Sequence, residues 1–116
     1  PAATSPYPVY LLGWYPDYLD PDDYISPFYL STGYTQNYSN PRMDQLIQQE
    51  QTAEQPDAPS RRDTFHEIQR LAAEDVPFIP LFVQTPYVYA QKDVQGLAET
   101  MDASQIFRFY LLSKNG

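Results

Sequence analysis

The run Val9-Tyr10-Leu11-Leu12-Gly13-Trp14-Tyr15-Pro16-Asp17 constrains this chain more than any other. Its first half is apolar without alternation, rich in β-branched, aromatic and leucine side chains. That is the pattern of a strand buried on both faces, in the middle of a sheet. Gly13 and Pro16 punctuate it. The chain then turns acidic through Asp17, Asp20, Asp22 and Asp23. A rigid strand over residues 9–14 that ends by presenting a Trp and an Asp suits a cation. The indole face attracts an ammonium, and the carboxylate pairs with it in a short charge-assisted bond. The rest of the chain then reads as scaffold for that strand end.

The 116 residues are enough for one small domain, and a 42% hydrophobic content supports a core. A net charge of −8 argues against nucleic acid or an anionic membrane as partner and favours neutral or cationic small ligands. Cysteine is absent, which excludes disulfides, thiolate catalysis and Cys-based zinc sites. No apolar run reaches the length of a membrane span, because Pro80, Gln84 and Pro86 interrupt the best candidate. The first residues show neither a basic nor an apolar leader segment, nor an initiator Met. On that ground the chain reads as a processed product or a piece of something longer.

Residues 1–8, rich in Pro, Ala, Ser and Thr, read as a linker. Asp20-Pro21 opens a short helix: the Asp caps the first free N–H groups, and proline at the first helical position has none to lose. Asp22 and Asp23 complement the positive end of that helix, and Tyr24, Ile25 and Phe28 are expected to face the core. Asn40-Pro41 repeats the start signal for a helix running to about Ala53, with Met43, Leu46 and Ile47 on one stripe and Asp44, Gln48 and Glu50 toward water. A third helix over residues 60–75 carries Phe65, Ile68, Leu71 and Ala72 on its apolar face, with Arg62, Asp63, Glu67 and Arg70 on the wetter side. Residues 76–91 read as an edge or bulged strand, since Pro77, Pro80 and Pro86 cannot donate to a ladder. A short strand or turn at residues 94–97 and a last strand at 106–112, with Arg108 outward, complete the chain. The order β-α-α-α-β-β-β gives an α/β layered architecture, two to three helices packed on a small mixed sheet. Such a domain is marginal by itself, a second sign of a fragment.

Several short motifs, in order, resemble the C-terminal part of family-5 extracytoplasmic solute-binding proteins, the oligopeptide-, dipeptide- and nickel-binding receptors of ABC importers. They are Gly13-Trp14-x-x-Asp17, Asp20-Pro21, Asn37-Tyr38-Ser39-Asn40-Pro41, Arg61-Arg62 ahead of His66-Glu67-Ile68-Gln69, Ala73-Glu74-Asp75-x-Pro77-x-x-Pro80-Leu81, Val94-Gln95-Gly96 and Ile106-Phe107-Arg108-Phe109. The resemblance implies part of one lobe of a two-lobed periplasmic-binding-protein fold that closes over its ligand by a hinge. Residues 9–91 would be second-lobe material and residues 92–116 the return segment to the first lobe. It implies a ligand-binding set of Gly13, Trp14, Tyr15 and Asp17. The backbone of Gly13 and Tyr15 would pair with a peptide, Trp14 would form an apolar wall, and Asp17 would anchor the α-ammonium. It implies an ABC-importer membrane permease as partner, small peptides or similar solutes as ligand, and no chemistry; no cofactor and no metal are expected, since His66 lies on a helix remote in sequence from the Trp14 stretch. The place would be periplasmic or otherwise extracytoplasmic, a lipoprotein anchor on the parent being one form of it. With the first lobe and the rest of the pocket missing, this piece alone is expected to bind ligand weakly or not at all.

The residues also admit plainer readings. Asp17 has the alternative of capping a turn, and Trp14 that of packing in a core. The acidic cluster fits helix capping better than calcium, because the spacing from Asp17 puts Asp22 and Phe28 where an EF-hand needs Gly and Glu. His66, the single histidine, reads as an exposed helix residue: Ser60 and Asp63 lie at the start of the same helix, with no oxyanion donors in view. An aromatic-rich interaction module for sugar or protein is the alternative function, and a hydrolase finds no constellation to support it. Apolar surface left open by a missing lobe predicts self-association.

Overall fold

In the computed structural model, residues 9, 11–34, 38–102 and 105–114 are described. The linker expected at residues 1–8 lies outside them, as does Tyr10 in the first apolar run. Two compact units divide the chain: residues 1–13 with 20–80, and residues 14–19 with 81–116. The structure is a small mixed arrangement of helices and one two-stranded antiparallel sheet.

In the first unit, two of the helical segments start where the sequence places an acceptor side chain ahead of a proline. Asp20 Oδ1 accepts from the Asp22 N–H at 2.9 Å and caps a 3-10 turn over Pro21–Tyr24. A short helix α1 follows at Ser26–Tyr29. Asn40 Oδ1 accepts from the Arg42 and Met43 N–H groups and caps α2, Pro41–Gln51. Helix α3, Pro59–Asp75, has proline at its first position but no side-chain cap at Ala58. Helices α2 and α3 pack together. Their interface buries Met43, Leu46, Ile47 and Ile68 with Ile25, and Tyr29, Leu30, Tyr38, Phe65, Leu71 and Ala72 pack against this cluster. Phe78 meets the rings of Phe28 and Tyr29 edge-on, with centroids 5.7 and 5.3 Å away.

The ends of α2 and α3 are tied by a short polar bridge. Asp75, at the last position of α3, accepts from Tyr38 Oη at 2.6 Å and from Asn40 Nδ2 at 2.7 Å. Desolvation, then this carboxylate, pushes the Tyr38 phenol up to about 12.

In the second unit, β1 (Val94–Gln95) pairs antiparallel with β2 (Ser113–Lys114), Val94 opposite Lys114. Gly96 links β1 to the short helix α4, Leu97–Thr100, with φ at +86°. A Cβ there would lie 2.3 Å from the Leu111 carbonyl oxygen, so only glycine fits. Arg108 pairs with Asp102 at 2.6 Å, and its N–H donates to the Thr100 carbonyl.

The departures from the sequence reading fall mainly on strands. Residues 9 and 11–14 form no strand, and Val9, Leu11 and Leu12 are exposed rather than buried. Residues 76–91 form none either, and every residue of 79–91 is exposed. The expected last strand at 106–112 is a 3-10 turn over Phe109–Leu111, with pairing only beyond it. A strand holds its backbone polar groups through a neighbour, and β1–β2 is the one such pair among the described residues. Three prolines weaken residues 76–91 further as a partner.

Smaller corrections concern orientation. Tyr24 is exposed, because the 3-10 turn breaks at Ile25 before α1 begins and the helical spacing is interrupted. Glu50 and Asp44 do not face water. Glu50 is buried against Arg61, and Asp44 is half-buried, accepting from the Ser31 N–H and Oγ. Arg108 is drawn inward by Asp102.

Val76 closes α3 in the left-handed region, with φ +48° and ψ +50°. A β-branched residue there costs energy that glycine does not, and its side chain is largely exposed. Val76→Gly is expected to stabilise the first unit by about 1 kcal/mol net of the greater freedom of unfolded glycine. A higher urea midpoint with an unchanged slope checks this; an unchanged or lower midpoint contradicts it.

Candidate functional site

The expected binding stretch divides between the two units. Gly13 belongs to the first, and Trp14, Tyr15 and Asp17 belong to the second. Gly13 is exposed, its φ lies outside the left-handed region, and a Cβ built on it meets nothing within 4 Å. Trp14 is half-buried, whereas Tyr15 and Asp17 are exposed and the intervening Pro16 is buried. Gly13 and Tyr15 are each exposed and outside regular structure.

Among the described residues, the most organised polar centre lies just downstream, within the first unit. Arg61 projects from the first turn of α3, and its side chain is only 10% exposed. Its guanidinium fork reaches Asp20 twice, Nη2 to Oδ1 at 2.7 Å and Nη1 to Oδ2 at 3.0 Å. Its Nε donates to Glu50 Oε2 at 3.0 Å and to the Glu50 carbonyl at 3.2 Å, and Nη1 donates to the Pro56 carbonyl at 3.0 Å. The guanidinium also lies over the Phe65 ring, 4.7 Å from its centroid. Planar, bidentate geometry of this kind is specific to arginine.

The electrostatics follow from these contacts. The Arg61 hydrogen bond, working against partial burial, holds the Asp20 carboxyl below the usual carboxylate range. The Asp20 hydrogen bond in turn raises Arg61 further, so the guanidinium is always charged. Glu50, with no exposed side-chain surface, is pushed up to about 7 by burial first and by Asp22 next, with Arg61 opposing. Asp22 accepts from Gln51 Nε2 at 3.2 Å and from Ser26 Oγ. Asp20, Asp22, Ser26, Glu50, Gln51 and Arg61 thus weld the 3-10 turn to both long helices.

The acidic run is therefore a capping and clamping device at Asp20 and Asp22, and Asp23 is buried. Among the described residues no group of His and carboxylates is arranged to hold a metal ion. His66 lies exposed on α3. No family model matches this chain, and neither a curated protein nor a solved structure matches it.

Sequence reasoning missed Arg61 as an organiser. It sits beside Arg62 as one of a pair of basic residues at a helix start, where a positive charge opposes the dipole. That misplacement was the available signal. A cation at a helix N-terminus needs carboxylates to compensate, and Asp20 and Glu50 supply them.

Removing Arg61 leaves one buried and one half-buried carboxylate without their cation. Arg61→Met is expected to cost about 3–5 kcal/mol, and Arg61→Lys less, since charge survives but the fork does not. Urea unfolding followed by circular dichroism measures both; equal stability of Arg61→Met and the unsubstituted chain would show that the clamp contributes nothing.

Proposed function

We propose that this chain is the C-terminal part of an extracytoplasmic solute-binding protein serving an ABC importer, a receptor that binds peptides or similar solutes and performs no chemistry. In this reading residues 9–91 derive from the second lobe and residues 92–116 return to the first. Asp17 anchors a ligand ammonium, Trp14 walls the pocket, and the Gly13 and Tyr15 backbone pairs with the ligand. The partner is a membrane permease, and the location is outside the cytoplasm.

The observation that carries the proposal is the state of the strand-like segments. Val9, Leu11, Leu12, Ile79, Leu81, Phe82, Val83 and Tyr87 are large, largely apolar side chains in segments without regular structure, and all are exposed. Sequences of this kind fold as sheet interior when a neighbour supplies hydrogen bonds. A larger parent sheet would supply it. Gly13 adds support: nothing among the described residues needs a glycine there, whereas close approach of a ligand backbone does. The ordered motifs set out above support the same reading through their resemblance to that family.

One observation favours the alternative of an aromatic interaction module. Phe107 and Phe109 stack with centroids 5.4 Å apart and 10° between planes, and both are exposed. A flat aromatic pair suits a sugar face.

Calorimetric titration of short peptides into the intact parent distinguishes the two. Peptides bind, and Asp17→Ala weakens them about tenfold or more by removing a charge-assisted bond. Affinity unchanged by that substitution removes the anchor, and binding of oligosaccharide in place of peptide establishes the module. The isolated chain is also expected to self-associate through its exposed apolar segments. Light scattering should show a mass that rises with concentration; a constant monomer mass at high concentration counts against a missing lobe.

A further inference from the structure

We propose that Glu50 and Asp22 share one proton, and that this makes the seating of the Pro21–Tyr24 turn on helix α2 sensitive to pH near neutrality. Glu50 stands in the last turn of α2 and is fully buried. Its two oxygens have different fates. Oε2 accepts from Arg61, while Oε1 is buried and accepts no hydrogen bond among the described residues. Asp22 is held at the same helix end: Gln51, the next residue, donates to its two carboxylate oxygens at 3.2 and 3.4 Å, and the Asp22 charge is among the causes that raise Glu50.

Two ionised carboxylates so placed repel each other, and burial deepens the cost of the second charge. One proton converts the repulsion into a short O–H···O⁻ bond. The orphan oxygen then has a role, since a protonated Oε1 donates to Asp22. Asp22 is the better anion of the two, because Gln51 Nε2 and Ser26 Oγ already donate to it. The charged and titratable groups facing Glu50 are Asp22 from the 3-10 turn and Arg61 from α3, with Asp20 reaching the same guanidinium. From helix α2, the uncharged Gln51 also reaches this cluster.

The direction of the effect follows from linkage. With the turn seated, Glu50 holds its proton up to about 7; with the turn released, it returns to the ordinary value of 4.5. The seated form therefore binds more protons between these values, and its advantage declines as pH rises through them. Asp20 and Asp75 are both lowered, so their contributions change only under more acidic conditions.

Carbon-13 NMR titration of the side-chain carboxyls in the full chain tests this directly. The Glu50 signal is expected to move with a midpoint near 7, and Asp22→Asn is expected to lower that midpoint. Amide exchange gives the second readout. The Ile25 N–H donates to the Asp22 carbonyl at 2.9 Å, at the junction that would open. Its protection, corrected for intrinsic rate, should fall by up to about tenfold per pH unit from 5 to 7 and then level off. In Glu50→Gln it should be flat. A Glu50 midpoint in the ordinary carboxylate range overturns the proposal. So does a midpoint unchanged by Asp22→Asn, which would assign the shift to burial alone. Should Glu50→Gln fail to fold, the titration of the unsubstituted chain and of Asp22→Asn still decides.

Discussion

One guanidinium holds the helical unit in register. Arg61 joins the first turn of α3 to Asp20 ahead of the 3-10 turn and to Glu50 at the end of α2, so one side chain ties three segments together. Apolar contact among Met43, Leu46, Ile47 and Ile68 drives the two long helices together, yet such contact is non-directional. The Arg61 fork accepts only one arrangement of its partners. It therefore fixes where the chain before residue 21 enters the unit. Its interior position also explains its company. A buried cation and buried anion are expensive to dehydrate, and the cost is offset only when almost every donor finds an acceptor. Here Nε, Nη1 and Nη2 all do.

The same accounting of backbone groups separates the two kinds of segment. A helix satisfies its own N–H and C=O groups beyond the first and last turns, so α2 and α3 need only caps and one apolar face. Asn40 provides a cap; Pro59 removes one orphan donor where Ala58 has no side-chain acceptor. A strand has no such self-sufficiency. Residues 9, 11–14 and 76–91 have strand composition but form no ladder among the described residues. Their exposure is what composition alone yields when hydrogen-bond partners are not at hand.

Legibility of the fold in the sequence follows this division. Asp20-Pro21 and Asn40-Pro41 state their roles locally: each is an acceptor side chain followed by a residue with no N–H to satisfy, and both became caps. The stripe Met43-Leu46-Ile47 and the partner Ile68 are equally local, carried by the 3.6-residue period. Glu50 departs from the sequence expectation because periodicity assigns faces, not partners. It lies four residues beyond Leu46, on the buried side, and its charge suggested water. Only Arg61, eleven residues on, makes that burial tolerable. The expected strands fail to form for the complementary reason, since β-branched and aromatic composition records a preference whose fulfilment depends on another segment. The stretch Gly13, Trp14, Tyr15 and Asp17 was legible as a junction of apolar run and acidic run, while its chemistry depends on what approaches it.

Glu50 also shows why the clamp need not be static. An ion pair between one cation and one anion would be insensitive to pH near neutrality. Arg61 instead meets Asp20 and Glu50 together, and Asp22 adds a third carboxyl. The cation can neutralise one carboxylate fully, and it prefers Asp20, with which it makes two hydrogen bonds. Glu50 and Asp22 are left with one negative charge too many for a buried place, and a proton is the cheapest remedy available. The surplus of acid over base across the chain, 15 Asp and Glu against 7 Lys and Arg, makes such local surpluses common on the surface, where water screens them. Burial at the end of α2 is what turns this one into a titrating contact. A turn fastened by a shared proton is firm in mild acid and looser above neutrality, the reverse of the slope that Arg61 and Asp20 give by themselves.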